Sequence, residues 1–417
     1  MGRGLRLDVA LERAARGLEP RDRAFVHELA YGVARLRGRL DHLLDRRVRG
    51  GLGRLDAVVL DVLRLGAHQV LYMDGVPRYA AVSQAVAQAR RAAGPGAAAL
   101  VNAVLRAVAD DGDAAELFPR FDEDPGSFLA TWGSHPRWLV DRWLARWSPA
   151  EVRDLVDADN QRSAVHLVPV GASPEDTVRA LAERGIGASA VGRGTLSVRL
   201  EAAADTAAAL AAVPALVQDP AAHLVTRYAD PPAGTIVADL CAAPGGKALA
   251  LAVRSAYTLA ADRSETRMRL VRENARRTGI RLGMVVADAR HPPLASAGAV
   301  ILDVPCTGTG TLGRHPDGRW RLAPGPLPDM IRLQREILDA GAGLVPEGGL
   351  LVYATCSLEP EENQGQVADF LARRPDFGLE PTGAVGGEYV DASGCLVVLP
   401  HRHGFDGAFA ARMRRAS

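Results

Sequence analysis

The sequence predicts an α/β protein in which a doubly wound parallel-sheet domain follows an all-helical module and a small α/β passage. Three observations carry this. Apolar residues of the first 110 positions recur at helical spacing. From about Pro232, short and nearly continuous apolar runs alternate with helical stretches, as in a parallel sheet covered on both faces. Between them lies a passage where both patterns mix. At 417 residues the chain has room for two or three domains with sizeable cores, and we expect them at residues 1–112, 113–222 and 223–417.

The helical module is read from Phe25, Leu29, Val33, Leu36 and Leu40, then from Leu55, Val59 and Val62, then from Val101, Val104, Leu105 and Val108. Gly50-Gly51, Asp74 to Pro77 and Gly94-Pro95-Gly96 read as turns between about five helices. The stretch from Asp110 to Pro125, rich in Asp, Gly and Pro, reads as a linker. A further helical piece carries Trp138, Trp143 and Trp147 as a core stripe. The small α/β passage then has apolar runs at 166–170 and 194–200 flanking a helix at 174–184.

In the third region six runs read as strands: 236–240, 257–261, 284–287, 300–303, 350–355 and 396–399. Doubly wound sheets bind ligands at the carboxyl ends of their strands, so the residue after each strand is where chemistry is expected.

Composition narrows the class. Hydrophobic residues make up 48% and charged residues 24%, as in a globular protein. The apolar stretches are broken by Arg, Asp or Gly short of a membrane span, and Met1-Gly-Arg-Gly-Leu-Arg6 has no apolar run behind its arginines. Four widely spaced cysteines, Cys241, Cys306, Cys356 and Cys395, form no CxxC pair. That pattern predicts neither a metal site nor a disulfide framework, but free thiols in the cytoplasm. We expect a monomer without membrane contact. Residues 1–110 carry a net charge of +7 within a chain of +1, and Arg35, Arg37, Arg39, Arg46, Arg47, Arg49 and Arg54 crowd one segment. A polyanionic partner is expected there.

The strand ends are distinctive. The first is followed by Asp239-Leu-Cys-Ala-Ala-Pro-Gly-Gly-Lys247, holding the only Lys among 50 basic residues. Small residues let a ligand approach the backbone, yet this is neither a dinucleotide fingerprint nor a phosphate loop. Asp262 follows the second strand, placed to bond ribose hydroxyls; Asp288 follows the third and Asp303 the fourth. Without a phosphate cradle, S-adenosylmethionine suits these positions better than NAD or ATP. The fourth and fifth strands end in Asp303-Val-Pro-Cys306 and Tyr353-Ala-Thr-Cys356, which put a thiol at each. Methylation of an amine needs no thiol. Methylation of pyrimidine carbon 5 does, because a thiolate adding at carbon 6 turns carbon 5 into a nucleophile. Position alone leaves Cys306 and Cys356 interchangeable in that role.

At these residues the chain resembles the RNA (cytosine-5) methyltransferases of the RsmB/Nop2/Sun family, of the bacterial 16S rRNA type. The matching pieces are Val217-Gln-Asp-Pro-Ala-Ala222, the Asp239 to Lys247 loop, Asp303 to Gly310, Arg314-His-Pro-Asp317 and Tyr353 to Ser357. The first module is similar to NusB, an RNA-binding helical domain. The resemblance implies a Rossmann-like methyltransferase domain behind a NusB-like domain and an RRM-like linker domain. It implies Cys356 as nucleophile, Cys306 as the thiol that assists release, and Asp303 between methyl donor and base. It also implies Cys241, Ala242, Ala243, Pro244, Gly245, Gly246 and Lys247 around the donor's methionine end, Asp262 at its ribose and Asp288 at its adenine. Two departures stand out: Ala248 replaces the usual Thr or Ser, and Asp-Val-Pro-Cys-Thr replaces the commoner Asp-Ala-Pro-Cys-Ser. Transfer RNA as substrate, or a non-catalytic RNA-binding and ribosome assembly role, are the alternatives.

Overall fold

The structure, a computed structural model, describes residues 5–202 and 204–417, so the reading of the N-terminal Met1-Gly-Arg-Gly segment lies outside it. The chain divides into two compact units. One contains the residues up to Gln161 together with Leu312–Leu322; the other contains Arg162–Thr311 and Ala323–Ser417.

The first unit is helical. It begins with the helix Leu7–Ala14, and the helices Pro20–Asp45, Ala57–Tyr72 and Arg78–Asp111 bury Leu40, Leu44, Leu63, Val101 and Leu105 in a common core. Gly66 permits the close crossing of two of them, since a Cβ there would fall 2.5 Å from Leu105. The expected turn at Gly94-Pro95-Gly96 is instead a kink within one helix. Gly94 takes φ 85°, which glycine alone adopts freely, and Pro95 starts the next helical stretch without needing an amide partner. Arg78–Asp111 has the length and composition of a membrane-crossing helix, and its Val101 to Val108 face packs into the unit's core.

Three shorter helices follow, Pro125–Thr131, Arg137–Leu144 and Pro149–Asn160. Asp124 and Ser148 cap the first and third, each ahead of a first-turn Pro. Of the three tryptophans expected in a stripe, only Trp143 is fully buried. The arginine cluster is also partly spoken for. Arg39 lies over the Trp132 ring at 3.7 Å and donates to its carbonyl, Arg37 faces Asp41 and Arg47 pairs with Asp111. Arg46, Arg49 and Arg54 remain exposed.

Leu312–Leu322 packs within this helical unit, which sequence gave no sign of. The fully buried Arg319 guanidinium donates to the carbonyls of Arg35, Ser134 and Asp159 and to Asn160 Oδ1, and the Trp320 indole donates to Ala34 O at 2.6 Å.

The second unit holds two sheets. Strands β1 (His166–Pro169), β2 (Ala188–Ala190), β3 (Val198–Leu200) and β4 (Ala215–Val217) form an antiparallel sheet in the order β2-β3-β1-β4. The larger sheet is built from β5 (Ile236–Asp239), β6 (Tyr257–Asp262), β7 (Gly283–Val286), β8 (Ala299–Asp303), β9 (Leu350–Thr355), β10 (Phe377–Leu379), β11 (Leu396–Val398) and β12 (Ala408–Arg415). Its order is β10-β12-β9-β8-β5-β6-β7, with β11 also on β12. The run from β9 to β7 is parallel, as expected. The remainder differs: 396–399, expected as another parallel strand, pairs antiparallel with β12. The chain winds outward one way from β5 through β6 to β7, and the other way through β8 to β9. The switch between β5 and β8 opens a crevice at their carboxyl ends, the place such sheets use for ligands.

Candidate active site

That crevice gathers the residues singled out by sequence. Asp239 ends β5 and Asp303 ends its neighbour β8. The Lys247 ammonium, in the first turn of the helix Gly246–Ala252, meets Asp303 Oδ2 at 2.7 Å. Burial opposes the Lys247 charge, but Asp303 and then Asp239 raise its pKa overall. Asp239 is fully buried and accepts from the Cys241 amide through Oδ1. Burial first, then the nearby Asp303 charge, pushes its carboxyl up to about 7.

The loop between Asp239 and Lys247 turns through Gly245 at φ 107°, a conformation that favours glycine. Gly246 lies against Gln218, and a Cβ there would come within 2.9 Å of the Gln218 amide nitrogen. Asp262, nearly buried at the end of β6, accepts from the Ala243 amide at 3.3 Å and the Ser264 amide at 2.8 Å. It thereby ties the loop to the second strand end. Asp288 lies beyond β7 and is not joined to this network; Arg290 and its amide hold its carboxyl down to about 2.

The two cysteine motifs meet on adjacent strands. Cys306 Sγ and Cys356 Sγ lie 3.3 Å apart, both half-buried. The hydrogen bond to Cys356, then burial, raises the Cys306 thiol well above its usual range. Cys356 adds the smallest of the upward contributions to the Lys247 pKa. Gly310 donates its amide to Cys356 O at 2.9 Å, and a Cβ on it would meet that oxygen at 2.7 Å. Gly308, at φ 69°, keeps the Cys356 sulfur uncovered on that side.

Sequence reasoning missed the residue beneath both thiols. Glu362, fully buried, accepts from the Thr307 amide and from Gln334 Nε2 at 2.9 Å each, and also from the hydroxyls of Thr307 and Ser357. Its six-residue distance from Cys356 was the only available signal. Among the described residues no group of three or more His, Cys, Asp or Glu is arranged to hold a metal ion.

The comparisons with known proteins agree on one family. A family model for 16S rRNA methyltransferase RsmB/F matches residues 227–414. A NusB family model matches residues 3–110, and an RsmF/B-like ferredoxin-like domain matches residues 135–207. The Synechocystis protein named probable ribosomal RNA small subunit methyltransferase B is 32% identical, over 98% of this chain and 95% of its own length. The chain belongs to the RsmB/F methyltransferase family. Ribosomal RNA small subunit methyltransferase B of Vibrio cholerae is 33% identical, over 98% of this chain and 93% of its own. The solved structure of PH0851 superposes with a TM-score of 0.80 at 26% identity, covering 97% of this chain and 92% of that one.

RsmB/F methyltransferases use S-adenosylmethionine. The crevice suits it. Asp239 Oδ2 is a buried acceptor without a donor. Two further carboxylates, Asp262 and Asp303, stand at neighbouring strand ends.

Proposed function

We propose that this methyltransferase acts on carbon 5 of a cytosine in small-subunit (16S) ribosomal RNA, through a covalent bond between Cys356 and carbon 6 of the base. The 3.3 Å contact between Cys306 and Cys356 at the ends of β8 and β9 carries this reading, because methyl transfer to nitrogen or oxygen has no use for paired thiols.

The geometry brings both thiols to one place, and the family resemblance divides the roles between them. The resemblance makes Cys356 the nucleophile, attacking as its thiolate, and Cys306 the partner thiol 3.3 Å away. Attack on carbon 6 forms the S–C6 bond and moves the π electrons of the C5=C6 bond onto the ring, so carbon 5 becomes nucleophilic. Asp303 hydrogen-bonds the ring edge while charge develops there, and Lys247 holds Asp303 in place. S-adenosylmethionine, which residues 241–247 would hold with Asp262 at its ribose and Asp288 on the adenine side, would supply the methyl group to carbon 5 and leave as S-adenosylhomocysteine. After carbon 5 is methylated, a base removes its proton. The C–H electron pair restores C5=C6 and expels the Cys356 thiolate, a release that Cys306 assists. Target access requires a single-stranded or extruded cytosine, since attack comes from above the ring.

The helical unit would engage the RNA backbone, with Arg46, Arg49 and Arg54 among its exposed cations. Such an enzyme belongs in the cytoplasm with its substrate, and we read it as a monomer. Labelled S-adenosylmethionine, unmodified 16S rRNA and nucleoside analysis test the reading. It requires 5-methylcytidine as the labelled product. Label confined to transfer RNA would move the substrate, a different methylated nucleoside would refute the chemistry, and no label at all would favour the assembly-factor role.

A further inference from the structure

The two thiols sit on separate loops whose cysteines are 50 residues apart in sequence. No covalent bond joins them, and a shift of a fraction of an ångström in either loop would end their contact. Glu362 is what both loops share. Its Oε1 accepts from the amide of Thr307, the residue after Cys306, at 2.9 Å. Its Oε2 accepts from the hydroxyl of Thr307 and from that of Ser357, the residue after Cys356. Gln334 Nε2 bridges further, donating to Glu362 Oε1 and to Pro305 O, just before Cys306. The Glu362 carbonyl accepts from the Tyr353 hydroxyl of β9 at 2.7 Å.

The donor set fits a carboxylate. Four donors converge on its two oxygens, whereas an amide's N–H₂ group would either face the Thr307 and Gln334 N–H donors or force both hydroxyls to turn and accept. Ser357 Oγ already receives the Glu359 amide at 3.0 Å, so its own proton is available for Glu362. A fully buried acid with no cation in its hydrogen-bond set is costly in a core, and its four donors offset that cost.

We propose that Glu362 is the positioning residue of the thiol pair: by clamping the residue after each cysteine, it sets the separation at which Cys306 and Cys356 share a proton. This rests on the covalent reading above only for its effect on turnover. The clamp itself is a property of the folded chain and can be judged without RNA.

The test uses the full chain with Glu362→Gln, Thr307→Val and Thr307→Ser. Two quantities are read. One is bridging of Cys306 to Cys356 by dibromobimane, which fluoresces on joining neighbouring thiols. The other is steady-state methyl transfer, with kcat separated from the KM values for RNA and S-adenosylmethionine. Glu362→Gln should lose bridging and drop kcat by about 100-fold, the scale of a misplaced reacting group, with both KM values unchanged. Thr307→Val should do the same in milder form, and Thr307→Ser, which keeps the donor, should restore both. A merely structural Glu362 would lower thermal stability without separating kcat from KM or distinguishing Ser from Val. Folded Glu362→Gln with wild-type bridging and turnover overturns the proposal. If Glu362→Gln fails to fold, the Thr307 pair decides. If the wild type transfers no methyl group yet bridging depends on Glu362, the functional reading fails and the clamp stands.

Discussion

Lys247 Nζ and Asp303 Oδ2 lie 2.7 Å apart, joining the ends of β5 and β8 across the point where the sheet reverses its winding order. Every other basic residue of Lys or Arg type in the chain is Arg. A guanidinium is planar, longer and cannot place a point charge among Asp239, Asp303 and Cys356, all of which interact with this ammonium. Lys247→Met should therefore cost about 2–3 kcal/mol of unfolding free energy, low for a broken buried pair because Asp303 is partly exposed. Lys247→Arg should fail to restore methyl transfer. Wild-type turnover in Lys247→Arg would show that charge alone suffices at this position.

Asp239 gives a pH dependence with a definite sign. Its carboxyl is pushed up to about 7 in the folded chain, against an ordinary 3.8. The unfolded chain therefore releases this proton first as pH rises, so the stability that the protonated form provides is full below the ordinary value. It is lost as pH climbs through the folded value. Asp239→Asn should leave Tm near wild type at pH 4 and raise it relative to wild type at pH 8. Thermal unfolding across that range checks this, and a gap that stays constant with pH would contradict it.

Gly310 packs its Cα against Gly407 and donates its amide to Cys356 O. An added Cβ would stand 2.7 Å from both the Gly407 Cα and Cys356 O, so backbone has to move. Gly310→Ala should lower kcat by about tenfold or more, through displacement of the Cys356 loop, while S-adenosylmethionine affinity measured by calorimetry stays as it was. An equal loss of affinity would place the damage elsewhere.

Arg319 is fully buried and its guanidinium donates to four carbonyls and to Asn160 Oδ1. Arg319→Met leaves those acceptors without donors, and should destabilise the chain by about 3 kcal/mol in urea denaturation. A loss below about 1 kcal/mol would mean that water or neighbouring groups replace the guanidinium.

The sequence exposed the parts of the site whose chemistry is local. The Asp239 to Lys247 loop and the Pro-Cys306 and Thr-Cys356 motifs are contiguous, and strand ends can be read from apolar runs. Glu362 escaped because its partners Thr307 and Gln334 lie 55 and 28 residues away, and an acid near Glu359 and Glu361 reads as solvent-facing. β12 escaped for a different reason. Its Arg412, Arg414 and Arg415 mask the alternation, and only in the fold do Glu380 and Asp376 pair with them. The arginine-rich segment of the first module misled in the other direction. Four of its seven side chains are half-buried, and those of Arg37, Arg39 and Arg47 are engaged with Asp41, Trp132 and Asp111.

The central claim is that Cys356 attacks and Cys306 assists release. The direct measurement is denaturing electrophoresis of wild type, Cys356→Ala and Cys306→Ala after incubation with S-adenosylmethionine and unmodified 16S rRNA. The account predicts a slow-migrating RNA–protein adduct that accumulates with Cys306→Ala, is transient with wild type and is absent with Cys356→Ala, which transfers no methyl group. An adduct accumulating with Cys356→Ala, or methyl transfer by that variant, would contradict it.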